Sequence, residues 1–210
     1  MCKTVLPDWW EMINLNRNIV KVKKGQRFIT EGSGTAGVYF IQDGFVKVHK
    51  HWGSKEMIVR FAKKGEVVGH RAISIESSLS PISATAMQDS TLCFVELSFF
   101  KTLLKTNNSF AYELMMFYAE ELQWSEQKMG NLVHLSVKER FVINLSYLIN
   151  HFGLDEHLVL QIEITKTDLA AYTGTTYESI YRIISEMEND NILEYSGKSI
   201  KITDVAKLRA

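Results

Sequence analysis

The chain of 210 residues is long enough for one large domain or two small ones. Hydrophobic residues make up 46% of it and charged residues 23%, which is ordinary for a water-soluble globular protein. No apolar run approaches the roughly 20 residues that a membrane helix needs, and residues 1–10 do not resemble a signal peptide, so we expect a cytoplasmic protein. The formal net charge is zero, so bulk charge gives no support to nucleic-acid binding, which needs only a local basic surface.

The two cysteines, Cys2 and Cys93, are too isolated to suggest a metal site or a disulfide framework. Cys93 lies in the apolar run 92–95, where we expect it to be a small buried hydrophobic residue. The sequence has no Gly-rich phosphate loop, no histidine and cysteine set with metal-ligand spacing and no Gly-x-Ser-x-Gly motif. We therefore expect neither an enzyme nor a metal site.

Residues 19–97 contain short apolar runs of the β type that are separated by glycines. The clearest predicted strands are the runs 38–41, 45–48, 57–61 and 91–95. Asp43-Gly44 stands between the first two runs and predicts a hairpin, because glycine adopts a positive φ at little cost. Many short strands with regular turns predict a sandwich or a barrel.

From residue 98 to about residue 153 the sequence becomes helical in character. Two sets of mainly apolar residues recur every seven positions, as in an imperfect coiled-coil seam that contains Tyr118 and Ser125. The two sets, offset by three, are Met115, Leu122, Met129 and Tyr118, Ser125, Leu132. This pattern predicts a helix that pairs with a second copy; the alternative is an amphipathic helix packed on its own domain. We expect a break over 131–136, followed by a new helix that begins with a capping box of Ser136 and Glu139.

The residues from 164 onward carry the pattern of a helix-turn-helix. Thr165 and Asp168 match the start of a first helix, which should end near Gly174, a residue suited to positive φ. Thr175 and Glu178 match a second capping box. Two helices joined by a short turn that contains glycine are typical of this DNA-binding motif.

The predicted second helix has an apolar stripe and a polar ridge on opposite faces. The stripe consists of Ile180, Ile183, Ile184 and Met187, and the ridge of Glu178, Arg182, Ser185 and Asn189. Arg182 can donate two hydrogen bonds to guanine and Glu178 can accept one from cytosine; a bidentate contact is worth about 1–3 kcal/mol of base discrimination. The alternative is a solvated Glu178–Arg182 ion pair, worth about 0.2–0.5 kcal/mol.

A hairpin is predicted after this helix, with a turn over 196–199, and it forms the wing of a winged helix. Lys198 and Lys201 are placed there to contact phosphate. Residues 136–210 contain eight basic and eleven acidic residues, a net charge of −3. We therefore expect weak non-specific DNA affinity, which dimerisation would offset by doubling the contacts.

Three stretches together resemble the Crp/Fnr family of bacterial regulators, and the likeness covers nearly the whole chain. They are residues 22–44, residues 64–69 and residues 165–201. The resemblance implies an α+β fold: an N-terminal β-roll (jelly-roll-like) sensor domain over 1–110, a long dimerisation helix over 111–135 and a C-terminal winged helix-turn-helix over 136–210. It also implies a transcription regulator whose partners are double-stranded DNA, a second copy of the chain and RNA polymerase.

The resemblance implies a homodimer that binds a palindromic site with TGA-like half-sites, read by Glu178 and Arg182. The full predicted DNA-binding set is Thr165, Lys166, Thr176, Tyr177, Glu178, Tyr181, Arg182, Ser185 and Lys198. Tyr177 stands where members that depend on cyclic AMP carry a second base-reading arginine, and Tyr181 differs as well. The outer bases of the half-site therefore stay open.

The predicted effector pocket departs from the family members that bind cyclic AMP. It consists of Gly69, His70, Arg71, Ile82, Ser83 and Ala84. His70 replaces the glutamate that holds the ribose, and Ile82 replaces the arginine that neutralises the phosphate, which then lacks its charge-assisted hydrogen bonds. We therefore expect the effector not to be cyclic AMP.

No cofactor is predicted. Cys2 alone cannot supply the four cysteines of an iron–sulfur cluster. We expect His49, His51 and His70 to be exposed or hydrogen-bonded histidines rather than haem ligands. The sequence leaves the effector and the direction of regulation open, and it leaves one alternative function, a small-molecule-sensing or protein-interaction module without DNA-binding activity.

Overall fold

The structure is a computed structural model that describes residues 9–73 and 79–208. The chain divides into two compact units, Met1–Lys50 with Val59–Ser125 and His51–Ile58 with Glu126–Ala210. Cys2 lies outside the described residues. The domain limits at residues 110 and 135 stay predictions.

Two four-stranded sheets follow a short N-terminal helix, α1 (Trp10–Leu15), and form the predicted β-roll. Their strand orders are β1-β8-β3-β6 and β2-β7-β4-β5. The strands are β1 (Arg17–Val22), β2 (Arg27–Ile29), β3 (Gly37–Asp43), β4 (Val46–Trp52), β5 (Lys55–Ala62), β6 (Val67–Val68), β7 (Ser83–Ala86) and β8 (Ser90–Glu96). All four predicted runs lie in or overlap these strands. Buried valines, isoleucines, leucines and alanines from both sheets form a common core, which is the usual basis for sheet packing.

The hairpin predicted at Asp43-Gly44 is wrong. Strand β3 pairs with β8 and β6, whereas β4 lies in the other sheet, so the chain crosses between sheets at this turn. Gly44 does adopt a positive φ of 100°, and a Cβ there would lie 2.1 Å from Ser90 Oγ. Gly44 therefore has the positive φ that the sequence predicts, but its turn connects strands of two different sheets.

Three helices follow the roll: α2 (Leu97–Thr106), α3 (Asn108–His134) and α4 (Val137–Phe152). The predicted break is shorter than 131–136, because α3 continues to His134. The predicted capping box is confirmed: Glu139 N–H donates to Ser136 Oγ at 3.3 Å, and Ser136 N–H donates to the Glu139 carboxylate at 2.7 Å. Cys93 is buried in the core between β8 and α2, as predicted.

The C-terminal part forms the predicted winged helix-turn-helix. Its elements are α5 (Lys166–Thr173), α6 (Tyr177–Asn189), β9 (Leu193–Ser196), β10 (Ser199–Ile202) and α7 (Val205–Leu208). β9 and β10 pair in antiparallel fashion around Gly197 and Lys198, which confirms the wing hairpin. Among the described residues, no helix is both long enough and apolar enough to cross a bilayer.

Candidate nucleic-acid interface and sensor site

Local capping fixes the start of α5 and the turn between α5 and α6. Thr165 Oγ1 accepts the N–H of Asp168 at 3.0 Å, and its hydroxyl donates to the Asp168 carboxylate at 2.7 Å. Gly174 ends α5 with a φ of 71°, a conformation that glycine adopts without strain. The second capping position is Thr176, which accepts the N–H of Ser179 at 3.3 Å, so the box predicted at Thr175 and Glu178 is wrong by one residue.

Arg140 on α4 stabilises the same turn. Its guanidinium donates to the carbonyls of Leu135 at 2.9 Å, Thr173 at 3.3 Å and Gly174 at 3.4 Å. The last carbonyls of α5 thus obtain partners outside their own helix, as helix ends require. Arg140 therefore joins the end of α5 to the start of α4.

Helix α6 buries one face and exposes the other, as predicted. Ile180, Ile183, Ile184 and Met187 are each at most 3% exposed. On the opposite side Glu178 and Arg182 are exposed, whereas Ser185 is half-buried. Arg182 Nε lies 4.0 Å from Glu186, at the limit of an ion pair, and its side chain remains 75% exposed. An exposed pair of this kind contributes little, so the guanidinium is available to a ligand.

Glu178 is held in its ionised form by the start of α6. A hydrogen bond from its own backbone N–H and one from Thr176 lower the pKa of its carboxyl. A carboxylate in the first helical turn is also favoured by the helix dipole. The Glu178 carboxylate, which can only accept hydrogen bonds, therefore lies at the N-terminal end of α6. This is the end of a recognition helix that reaches base edges.

The flanking basic residues differ in how they are held. Lys166 Nζ lies 4.6 Å from the ring centroid of Tyr181 and 4.8 Å from that of Tyr195. Lys198 is exposed at the tip of the wing, and its carbonyl accepts the N–H of Ile164 at 2.9 Å. Lys201, by contrast, lies 3.5 Å from Glu194 across the hairpin, so its charge is partly neutralised.

Among the described residues, the six predicted effector residues lie at three places in the roll. His70 and Arg71 lie in a short 3-10 helix, His70–Ala72, and contact a carboxylate on α3. Ile82 and Ala84 are buried in the core of the roll, and Ser83 Oγ accepts the N–H of Glu31 at 3.0 Å. Gly69 lines a separate pocket with Phe28, Gly34, Thr35 and Tyr39.

The sequence did not predict a partly buried charge cluster around Glu121. Glu121 on α3 lies 2.6 Å from Arg60 Nε, 3.0 Å from His70 Nε2 and 3.2 Å from Arg71 Nη2. Arg60 also lies 2.8 Å from Glu66. The Tyr118 hydroxyl donates a hydrogen bond to the carbonyl of His70 at 2.7 Å. These contacts tie the middle of α3 to the roll within the first unit.

The cluster shifts the protonation of its members. Burial alone would raise the pKa of Glu121, but the hydrogen bond to His70 and the charges of Arg60, His70 and Arg71 outweigh it and lower the pKa to about 2. Burial lowers the pKa of His70, and the nearby Glu121 offsets this only in part. At neutral pH, Glu121 is therefore ionised and His70 is neutral.

Two of the three histidines in the roll sequence are hydrogen-bonded, and the third is partly exposed. His49 is buried, and its Nε2 lies 2.9 Å from Thr85 Oγ1. His70 is buried with its Nε2 on Glu121. His51 is partly exposed and lies 3.6 Å from Glu56.

The predicted dimerisation residues on α3 fall into two groups. Met115, Leu122 and Met129 are 57%, 60% and 58% exposed, and Ser125 is exposed as well. The Tyr118 hydroxyl instead donates a hydrogen bond to the carbonyl of His70, whereas Leu132 is 40% exposed and its Cδ2 lies 2.9 Å from the position that a Cβ on Gly174 would take. Tyr112 and Val133, which are also exposed, extend the stripe and were not predicted. We call Tyr112, Met115, Leu122, Met129 and Val133 the α3 stripe.

Two family models match the chain. Residues 19–107 match the cyclic nucleotide-binding domain, and residues 140–210 match the Crp-like helix-turn-helix domain. The chain belongs to the Crp/Fnr family. Its members are transcription regulators rather than enzymes, and the Crp-like helix-turn-helix is a DNA-binding domain, so this Crp/Fnr protein is a DNA-binding transcription regulator.

Individual Crp/Fnr relatives are distant but cover most of the chain. The anaerobic regulatory protein of Bacillus subtilis is 22% identical over 198 residues, which span 92% of this chain and 83% of the relative. The cAMP-activated global transcriptional regulator CRP of Salmonella typhimurium is 26% identical over 187 residues, which span 88% and 89%. The structure of FixK2 from Bradyrhizobium japonicum matches with a TM-score of 0.81 at 22% identity, over 92% of this chain and 96% of that one.

Proposed function

We propose that this regulator binds, as a homodimer, a palindromic DNA site with TGA-like half-sites, and that α6 reads the bases. The observation that carries the proposal is the division of α6 into a buried isoleucine face and an exposed face with Glu178 and Arg182. A helix fits the major groove, where arginine binds guanine and a carboxylate binds the cytosine amino group. Few basic residues, Lys166 and Lys198 among them, flank this face. This supports a specificity that comes from base contacts more than from phosphate contacts.

The homodimer proposal is supported by the α3 stripe. Its apolar side chains lie along one helix of 27 residues and are exposed in the single chain. Exposed apolar residues along one face of a helix are typical of an interaction site, and the roughly seven-residue spacing fits a second copy of the same helix. The two recognition helices of such a dimer would read half-sites about 34–36 Å apart.

Replacing Arg182 by alanine tests the proposed function. We expect the affinity for a duplex with inverted TGA half-sites to fall by about 5- to 150-fold per half-site, the range for one bidentate base contact. Arg182→Lys is the matched control, because it keeps the charge but cannot form two parallel bonds and should rescue affinity only in part. Fluorescence anisotropy on this duplex and on a scrambled one gives the readout; equal affinity of wild type for both would contradict the proposal.

The proposed effector is a ligand or partner other than cyclic AMP. Ile82 is buried in the core where a cyclic phosphate would need a cation, and His70 is bonded to Glu121. Isothermal titration of the purified protein with cyclic AMP should show no binding in the micromolar range, because the phosphate would lose its charge-assisted hydrogen bonds. Micromolar binding would refute this part of the proposal.

In the proposed mechanism, a signal at the roll changes how two α3 helices pair and thereby changes the spacing of the recognition helices. We propose the cytoplasm as the compartment, since the target is chromosomal DNA, and RNA polymerase as the further partner of a regulator that acts on transcription. Because the net charge of residues 136–210 is −3, a winged helix that mediates protein contacts is the second candidate. Absence of any specific duplex in the anisotropy assay would favour it.

A further inference from the structure

Two tyrosines form a second ridge on α6 beside Glu178 and Arg182. Tyr177 and Tyr181 lie one helical turn apart, with ring centroids 6.4 Å apart and planes inclined by 26°. They are 48% and 52% exposed, although large aromatic side chains gain most by burial. The first two turns of α6 thus present two aromatic faces at the end of the helix that is suited to enter the major groove.

The ring of Tyr181 is contacted by Lys166. Lys166 Nζ lies between Tyr181 and Tyr195, 4.6 Å and 4.8 Å from their ring centroids. The Tyr195 hydroxyl in turn donates to the Ile164 carbonyl at 2.8 Å. A cation held against both rings restricts the rotation of Tyr181. A side chain that is already ordered loses less entropy when it binds.

The two ridges run side by side. Each tyrosine precedes a base-reading residue by one position, so the ridges are rotated by about 100° about the helix axis. Base pairs next to those bound by Glu178 and Arg182 therefore face the tyrosines. The apolar group that a base pair exposes in the major groove is the thymine C5 methyl, and cytosine lacks it.

We infer that Tyr177 and Tyr181 contact the methyl groups of thymines that flank the base pairs bound by Glu178 and Arg182, and so select thymine over cytosine there. This inference rests on the proposed function, and it specifies thymine at the outer bases of the half-site. The contact is apolar and needs the rings rather than the hydroxyl groups.

A methyl scan of the bound duplex tests the inference. Each thymine of a palindrome that wild type binds is replaced singly by deoxyuridine, which pairs identically and lacks the methyl. We expect one or two positions per half-site to lose about four-fold in affinity, the effect of one buried methyl group. Replacing the same thymine by cytosine should weaken binding, and 5-methylcytosine should restore part of the loss.

Variants assign the effect to the tyrosines. In Tyr177→Ala or Tyr181→Ala protein, the sensitive deoxyuridine should cause no further loss. Tyr181→Phe, the matched control, should keep the sensitivity because it keeps the ring. Circular dichroism verifies that each variant is folded, which we expect for these exposed positions.

The outcomes separate the inference from the proposed function. If wild type keeps its Arg182-dependent preference for guanine but no thymine shows methyl sensitivity, the inference fails and the proposed function stands. The same holds if the sensitivity persists in both alanine variants. If wild type shows no specific binding, both fail.

Discussion

Leu122→Asp is expected to convert the proposed homodimer to a monomer and to weaken specific DNA binding by at least about 100-fold, because the second half-site contact would then no longer be intramolecular. Leu122 is 60% exposed at the centre of the α3 stripe. In a paired helix it would face its own copy, so the substitution would bury two carboxylates opposite each other. Neither charge would have a partner in that apolar seam.

The control for this substitution is Gln127→Asp on the same helix. Gln127 is exposed and lies away from the α3 stripe. Its replacement by aspartate adds the same charge as Leu122→Asp. Sedimentation equilibrium should show a dimer for wild type and Gln127→Asp, and a monomer for Leu122→Asp. A Leu122→Asp protein that remains dimeric and binds DNA normally would exclude the α3 stripe as the dimer interface.

Glu121→Gln is expected to lower the free energy of unfolding by about 3–5 kcal/mol, the cost of removing one partner from a buried ion pair. The carboxylate is 12% exposed and is shared by Arg60, His70 and Arg71. Glutamine replaces the carboxylate by a neutral amide. Arg60, whose side chain is 8% exposed, then loses one of the negative charges that balance its guanidinium. For a protein of this size the melting temperature should fall by about 10 °C.

The pH dependence of this effect follows from the lowered pKa of Glu121. A carboxyl with a pKa of about 2 in the folded state and an ordinary value of 4.5 contributes its stability above pH 4.5 and loses it as the pH falls towards 2. The difference between wild type and Glu121→Gln should therefore be constant at neutral pH and shrink below pH 4.5. Burial lowers the pKa of His70, so both proteins should also lose stability as the pH falls below 6.5.

Glu120→Gln provides the matched control, because Glu120 is the exposed neighbour of Glu121. Its unfolding free energy should stay within about 0.5 kcal/mol of wild type, as for most surface substitutions. Thermal unfolding must be followed at one protomer concentration, since the proposed dimerisation would shift the transition. Equal melting temperatures for Glu121→Gln and Glu120→Gln would show that the cluster does not stabilise the roll.

The winged helix was predictable because its signals are local. Threonine caps, the positive φ of Gly174 and the isoleucine spacing of α6 each depend on residues within a few positions. The error of one residue at Thr176 reflects two adjacent threonines that both fit a capping position. Helix ends are the least certain feature of such patterns.

The roll and its charge cluster could not be predicted in the same way. Pairing of β3 with β8, rather than with β4, joins residues about 50 positions apart, and turn residues carry no information about it. The same separation hides the contact of Glu121 with His70 and Arg71. One signal was present: Glu121 continues the face of Leu114, Phe117 and Tyr118, which packs on the roll.

The heptad pattern on α3 was partly informative. Met115, Leu122 and Met129 share an exposed face, but Tyr118 and Leu132 contact their own chain. Tyr112 and Val133 are 21 residues apart, so they share one heptad position, and both are exposed beside the first predicted set. The prediction missed this neighbouring position of the same face.

Selection of bound duplexes from a random pool, with wild type and Arg182→Ala in parallel, tests the central claim most directly. Wild type should enrich inverted TGA half-sites spaced by about one helical turn, and the variant should lose the guanine while keeping the spacing. Enrichment of the same guanine by both proteins, or of no inverted repeat by wild type, would contradict the assignment of α6 as the reading helix.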